Sequence, residues 1–225
     1  MTYEDSLWYH PAFIVQKGVD AEKYYQGKKM PSEVQHAIEE TRLAAIWAFG
    51  QNKLHNLRYY LQPVDDISPD VKAMFEVKSD LKNYDVAGKY LDIEVTRYEE
   101  HSQEDIDVFL VNGKLKKAYQ PGTIILCVID KPIVNGKLWK DVGKDLQILG
   151  NGLDVFLLGR THPTKLEFCS ARVNPTFDSI QKFDVWEEAK IKYKNSKGIQ
   201  IINLPGHTFT KAIPDGFNPF IDKLS

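Results

Sequence analysis

Apolar and polar residues alternate with a period of two in two stretches, 69–78 and 90–97. In the first, Val71, Ala73, Phe75 and Val77 fall on one side, and Asp70, Lys72, Met74, Glu76 and Lys78 on the other. In the second, Leu91, Ile93 and Val95 oppose Asp92, Glu94 and Thr96. This period predicts strands with one face on a core and the other open to solvent. Residues 78–88 are polar and turn-rich, which predicts a hairpin between the two strands. Such a pairing gathers Asp70, Glu76, Asp92 and Glu94 on one polar face. Four neighbouring carboxylates repel one another unless water or a cation neutralises them, so this face is the first candidate for chemistry.

The rest of the pattern supplies the frame. Residues 1–30 read as an irregular, aromatic-rich arm with one short strand at 12–16. A helix is predicted from Ser32, a good N-cap, to Gly50, a good terminator, with Val34, Ile38, Thr41, Ala45 and Ala48 at helical spacing. A short strand follows at 55–62. Residues 102–119 predict a second helix, capped by Ser102 and built on Ile106, Phe109, Leu110 and Leu115, with Gly113 as a weak point. The continuous apolar run 123–129 predicts a strand covered on both faces. A third helix at 139–149 then leads to a strand at 153–158, parallel to the previous one. Strands are expected at 166–173, 183–193 and 199–204, the last two joined by a turn at 195–198. The fold class is therefore α/β: a mixed central sheet flanked by helices, with a β-rich C-terminal extension. The expected organisation is an arm or cover at 1–31, an α/β core at 32–160 and the extension at 161–225, packed on that core.

Charge and composition narrow the function. A formal net charge of −2 over 225 residues provides no global basic field, so any nucleic-acid contact must be a local patch. Cys127 and Cys169 both lie in apolar runs and read as buried free thiols, which suits a reducing cytoplasm. For Cys127, burial argues against a nucleophilic role. Neither a signal peptide nor a membrane span is expected. The six histidines have no zinc-ligand spacing, and there is no Gly-rich phosphate loop or nucleophile elbow. Arg160 and His162 read as loop surface. The segment 183–204, with Phe183, Trp186, Lys190, Lys192 and Tyr193, reads either as an edge guarded by lysines or as a grip on DNA or a second subunit.

The order helix, strand, carboxylate-bearing hairpin, helix, buried strand, helix, strand resembles the PD-(D/E)xK, or restriction-endonuclease-like, nuclease superfamily. Pro69-Asp70 matches the PD element and Glu94-Val95-Thr96 the (D/E)xK element, over residues 32–160. The resemblance implies a metal-dependent DNA endonuclease in bacterial restriction, phage defence or DNA processing, with Mg²⁺ or Mn²⁺ held by Asp70 and Glu94. Such oxygen ligands suit magnesium, which polarises a phosphate and lowers the pKa of an attacking water. The family lysine is replaced by Thr96, which cannot carry its charge. Lys72 is one substitute, and Lys114, Lys116 and Lys117 on the following helix are others. The family's helix carboxylate corresponds to Glu40 in preference to Glu39. A second register, Glu76-Val77-Lys78 with Asp66, ranks below because it does not lead into the helix and buried strand. The alternative is a non-catalytic nucleic-acid-binding or assembly module on the same fold. Homodimerisation stays open.

Overall fold

The computed structural model describes residues 7–55, 57–64, 69–78, 86–99, 101–120, 122–129, 138–148, 153–162, 167–185 and 199–200. It is a mixed α/β protein whose chain divides into two compact units, residues 1–91 with 187–225, and residues 92–186.

In the first unit, strand β1 (Leu7–Trp8) is followed by helix α1 (Pro11–Tyr24) and helix α2 (Ser32–His55). Helix α1 replaces the irregular arm and the short strand expected at 12–16. Pro11 occupies the first helical turn, where its missing N–H costs nothing, and His10 caps it by accepting from the Ala12 N–H at 3.1 Å through Nδ1. Ala12, Ile14, Val15, Gly18, Val19 and Ala21 are buried at helical spacing. Helix α1 packs on α2, and Gly18 permits the approach: a Cβ there would sit 2.7 Å from Cδ of Arg42. Arg42 in turn forms an ion pair with Glu22.

Helix α2 runs through Gly50 to His55 and does not stop at the glycine. Gly50 is buried, and packing outweighs the roughly 1 kcal/mol that glycine costs in a helix interior. Asn52 then fixes the exit. Its Oδ1 accepts from the Tyr59 N–H at 2.6 Å, so strand β2 (Tyr59–Pro63) begins later than the 55–62 expected. Strand β2 pairs antiparallel with β3 (Val71–Lys78), placing Gln62 opposite Lys72 and Leu61 opposite Ala73. The alternation in β3 holds for buried Val71 and Ala73 and exposed Lys72, but Met74 on the expected outer face is fully buried. Strand β1 pairs with β9 (Ile199–Gln200); most of the hairpin expected between 183–193 and 199–204 lies outside the described residues.

Strand β4 (Val86–Tyr98) passes from the first unit into the second at Leu91 and Asp92. The second unit continues with helix α3 (Ile106–Asn112), a 3-10 turn at Lys114–Lys116, β5 (Ile124–Ile129), α4 (Trp139–Ile148), β6 (Asp154–Arg160), β7 (Glu167–Asn174) and β8 (Gln181–Asp184). Its strands stand in the order β4-β5-β6-β7-β8. Strands β4, β5 and β6 are mutually parallel, and β7 and β8 are antiparallel. The crossover through α4 gives the parallel pair expected for 123–129 and 153–158, and α3 makes a second such crossover from β4 to β5. Helix α3 is shorter than predicted and begins after Asp105, not after Ser102. It ends at Gly113, whose N–H bonds to Phe109 O and where a Cβ would lie 3.0 Å from that oxygen.

Ile106 and Leu110 of α3, with Trp139, Val142 and Leu146 of α4, form one core with Tyr98, Ile125, Cys127, Ile129, Val155 and Leu157. Ile93, Val95, Ile124, Leu126, Val128 and Leu158, of opposite orientation, are also buried. Both faces of the parallel strands are thus covered, as the apolar run 123–129 predicted. Asp66, the 78–88 turn residues 79–85, the turn at 195–198, and Trp186, Lys190, Lys192 and Tyr193 lie outside the described residues, as do the side chains of Glu76, Val77 and Lys78.

Candidate functional site

Period-two geometry puts Glu94, Thr96 and Tyr98 on the α3 and α4 side of β4. The expectation that this face is open to solvent fails at its central residue. Glu94 is 1% exposed. Parallel pairing sets Glu94 beside Ile125, Thr96 beside Cys127 and Tyr98 beside Ile129, all three neighbours buried. A carboxylate placed among such groups loses most of its hydration, and an unpaired charge there is costly.

Lys114 supplies the pairing. Its Nζ donates to Glu94 Oε2 at 2.7 Å. The chain delivers it through the break at Gly113: α3 stops, and the 3-10 turn redirects Lys114 and Leu115 inward, leaving Lys116 and Lys117 exposed. Leu115 packs against the core of the unit. Tyr98 anchors the start of the same connection, donating from its hydroxyl to Glu104 O at 2.5 Å. Thus the lysine twenty residues after Glu94 reaches it because a strand, a short helix and a turn fold back across one sheet face. Of the lysines considered at the sequence level, Lys114 meets this carboxylate. Lys72 is exposed on β3 of the first unit.

The remaining candidates have ordinary local settings. Thr96 is half-buried one pleat along from Glu94. Asp70, half-buried, immediately precedes β3, and Glu40, half-buried, lies within α2; both belong to the first unit. Arg160 is exposed at the end of β6, and His162 is half-buried just beyond it.

Burial pushes the Cys127 thiol well above its usual range, which removes it as a nucleophile at neutral pH. Burial also raises the Cys169 thiol, against the opposing effects of a hydrogen bond from the Gly159 backbone and the charge of Lys182.

The carboxylate oxygens of Glu94 are hard donors of the kind magnesium takes, and magnesium sites often use only one or two carboxylates, completed by water and phosphate oxygens. Among the described residues no group of three or more His, Cys, Asp or Glu is placed to hold a metal ion. Glu94 is thus one oxygen donor, buried and paired with Lys114, and the described residues complete no set of protein ligands around it. Also among the described residues, no helix is long and apolar enough to cross a membrane. No family model, curated protein or solved structure matches the chain.

Proposed function

We propose that the protein is a metal-dependent DNA endonuclease with a restriction-endonuclease-like core, working in a reducing cytoplasm, in which Lys114 takes the place of the lysine absent at position 96. The observation that carries this reading is the buried Glu94–Lys114 pair. A phosphodiester-hydrolysing site needs an oxygen donor for the cation beside a positive charge for the phosphate or the attacking water. Glu94 is the donor and Lys114 the charge. Magnesium, when bound, supplies Lewis-acid polarisation and an activated water. Lys114, released from Oε2, holds the negative charge that builds on the phosphate, an electrostatic role worth more in a site shielded from water than in solution. The parallel β4-α3-β5 and β5-α4-β6 succession supports the core assignment. The resemblance also gives roles to Asp70 and Glu40; each belongs to the first unit and is tested by its own substitution.

A second reading has an observation of its own. Glu94 is almost completely buried and Lys114 already neutralises it, as in a structural ion pair retained by a non-catalytic binding or assembly module. Cleavage of supercoiled plasmid and of single-stranded DNA with Mg²⁺ or Mn²⁺ decides between them. The nuclease reading expects metal-dependent cutting that is lost in Glu94→Gln and Lys114→Met and kept in Lys116→Gln, with each variant folded by circular dichroism. Cutting absent in the wild type, or unchanged in folded Glu94→Gln and Lys114→Met, overturns it in favour of the module.

A further inference from the structure

The turn that closes α1 is an exposed platform whose composition does not serve the core. Tyr25 N–H bonds to Ala21 O at 2.9 Å, Gln26 N–H to Lys23 O at 3.3 Å and Lys28 N–H to Tyr25 O at 2.8 Å. Gly27, at φ 76°, supplies the left-handed step that lets the chain reverse. On this frame Tyr24 is 66% exposed, a large apolar ring left in water. Lys28 Nζ lies over the ring at 4.7 Å from its centroid, and Tyr25 meets the ring edge-on at 5.0 Å and 87°. Lys23, Lys28 and Lys29 are all exposed, and residues 23–30 contain no Asp or Glu. The acids just upstream are engaged elsewhere. Glu22 pairs with Arg42, and Asp20 accepts from Gln16 Nε2 at 2.9 Å. Among the described residues, no carboxylate pairs with Lys23, Lys28 or Lys29. A chain of net charge −2 thus gathers three lysines within seven residues, without a carboxylate partner among the described residues, one of them over an exposed aromatic ring.

We infer that residues 23–29 form a docking surface for single-stranded DNA, with a base stacked on Tyr24 and the flanking phosphates met by Lys28, Lys29 and Lys23. An exposed ring beside exposed ammonium groups, one of which would leave the ring face for a phosphate, matches the two parts of a single strand, a base with an open π-face and a repeating phosphate. A duplex hides its base faces, so the ring would be idle against it. An acidic peptide would use the lysines and leave the ring without a partner. The surface lies wholly in the first unit, and Glu94 and Lys114 belong to the second; only the choice of DNA over RNA rests on the function proposed above.

Fluorescence anisotropy of a labelled twenty-nucleotide thymidine strand, read in EDTA so that no cleavage occurs, tests the inference. Tyr24→Ala should weaken binding on the order of tenfold, and Tyr24→Phe, which keeps the ring, should restore it. The double variant Lys28→Gln/Lys29→Gln should lower the slope of log affinity against log salt by about 1.4, two phosphate contacts at about 0.7 each. All three side chains are exposed, so these variants keep the fold. No binding by the wild type, wild-type binding by Tyr24→Ala and the double variant, or equally tight binding of a labelled polyglutamate peptide overturns the assignment. A uridine strand bound more tightly than thymidine overturns the choice of DNA. Cleavage is read in the separate metal-containing assay, so a wild type that binds the strand in EDTA yet cuts nothing with Mg²⁺ overturns the nuclease reading and not this one.

Discussion

Lys114 donates to Glu94 Oε2 at 2.7 Å while the two side chains differ sharply in exposure, 21% for the lysine and 1% for the glutamate. This asymmetry predicts unequal costs when the pair is broken. Removing Lys114 leaves a carboxylate with almost no access to water. Removing Glu94 leaves an ammonium that can still swing toward solvent on its flexible stem. Lys114→Met should therefore destabilise by up to about 3–5 kcal/mol, the usual cost of breaking a buried pair by removing one member. Glu94→Leu should cost clearly less, and Glu94→Leu/Lys114→Met should recover most of the loss. Urea unfolding of the three variants checks the order. Equal destabilisation by the two single changes would mean that the lysine is held as tightly as the carboxylate.

His10 closes the N-terminus of α1 with an imidazole nitrogen in the place of the usual hydroxyl or carboxylate. Nδ1 accepts from the Ala12 N–H, so it must carry no proton, and the residue is 4% exposed. His10→Ala removes the cap and should cost about 1 kcal/mol, and His10→Asn, which restores an acceptor at that position, should recover part of it. Edge-on packing against Tyr60, with ring centroids 6.0 Å apart, is lost in both variants and limits the recovery. Thermal unfolding should rank wild type above Asn and Asn above Ala.

The elements legible in the sequence are those whose local signals and burial agree. The run 124–129 is apolar throughout and buried throughout, and the crossover through Trp139, Val142 and Leu146 repeats at helical spacing. Reading failed where tertiary packing overrides local preference. Ile14, Val15 and Val19 are β-branched and favour strands locally, yet packing on α2 makes them one face of a helix; Pro11 and the spacing 12, 15, 19 are the helical signals in this stretch. Gly50 signals a stop that burial cancels. At Glu94 the alternation correctly gave a strand and the side of the sheet on which the carboxylate lies. It could not reveal that α3 and the turn after Gly113 cover that side, since their return path is a non-local property. Among Lys114, Lys116 and Lys117, only the geometry of the 3-10 turn selects the first.

Titration above neutral pH should weaken the fold in a defined window. Burial raises Tyr90 from 10.0 to about 12 and raises Cys127 and Cys169 above 9.0. In each case the unfolded chain loses its proton first, so it binds fewer protons than the native state and stability falls as pH rises. The contribution is fully present below about pH 7.5, where thiols and phenols are protonated in both states. It should decline from there through pH 12. Cys127→Ala should flatten the limb above about pH 8, at the cost of a small cavity, and Tyr90→Phe the limb above about pH 10. Tyr90 is only half-buried, so its effect should be the smaller. A disulfide-exchange reagent at pH 8 should find both thiols slow in native protein and fast in denaturant. Rapid native labelling of Cys127 would contradict its burial.

Gly143 sits inside α4, where alanine is intrinsically the better residue by about 1 kcal/mol. The structure reverses the sign. A Cβ at position 143 would lie 2.6 Å from the carbonyl oxygen of Val173 and 3.5 Å from its carbonyl carbon. These are backbone atoms of β7, which pairs with β6 along most of its length and cannot yield as a flexible side chain would. The clash must be relieved by lifting α4, and with it Val142 and Leu146, both fully buried on either side of the glycine. Overpacking of this kind typically costs about 1–3 kcal/mol, enough to cancel the helix-propensity gain and leave a net loss. Gly143→Ala should therefore lower the melting temperature, whereas Lys144→Ala, at an exposed position one residue on, should leave it nearly unchanged. Stabilisation by Gly143→Ala would show that α4 does not rest against β7 at this distance.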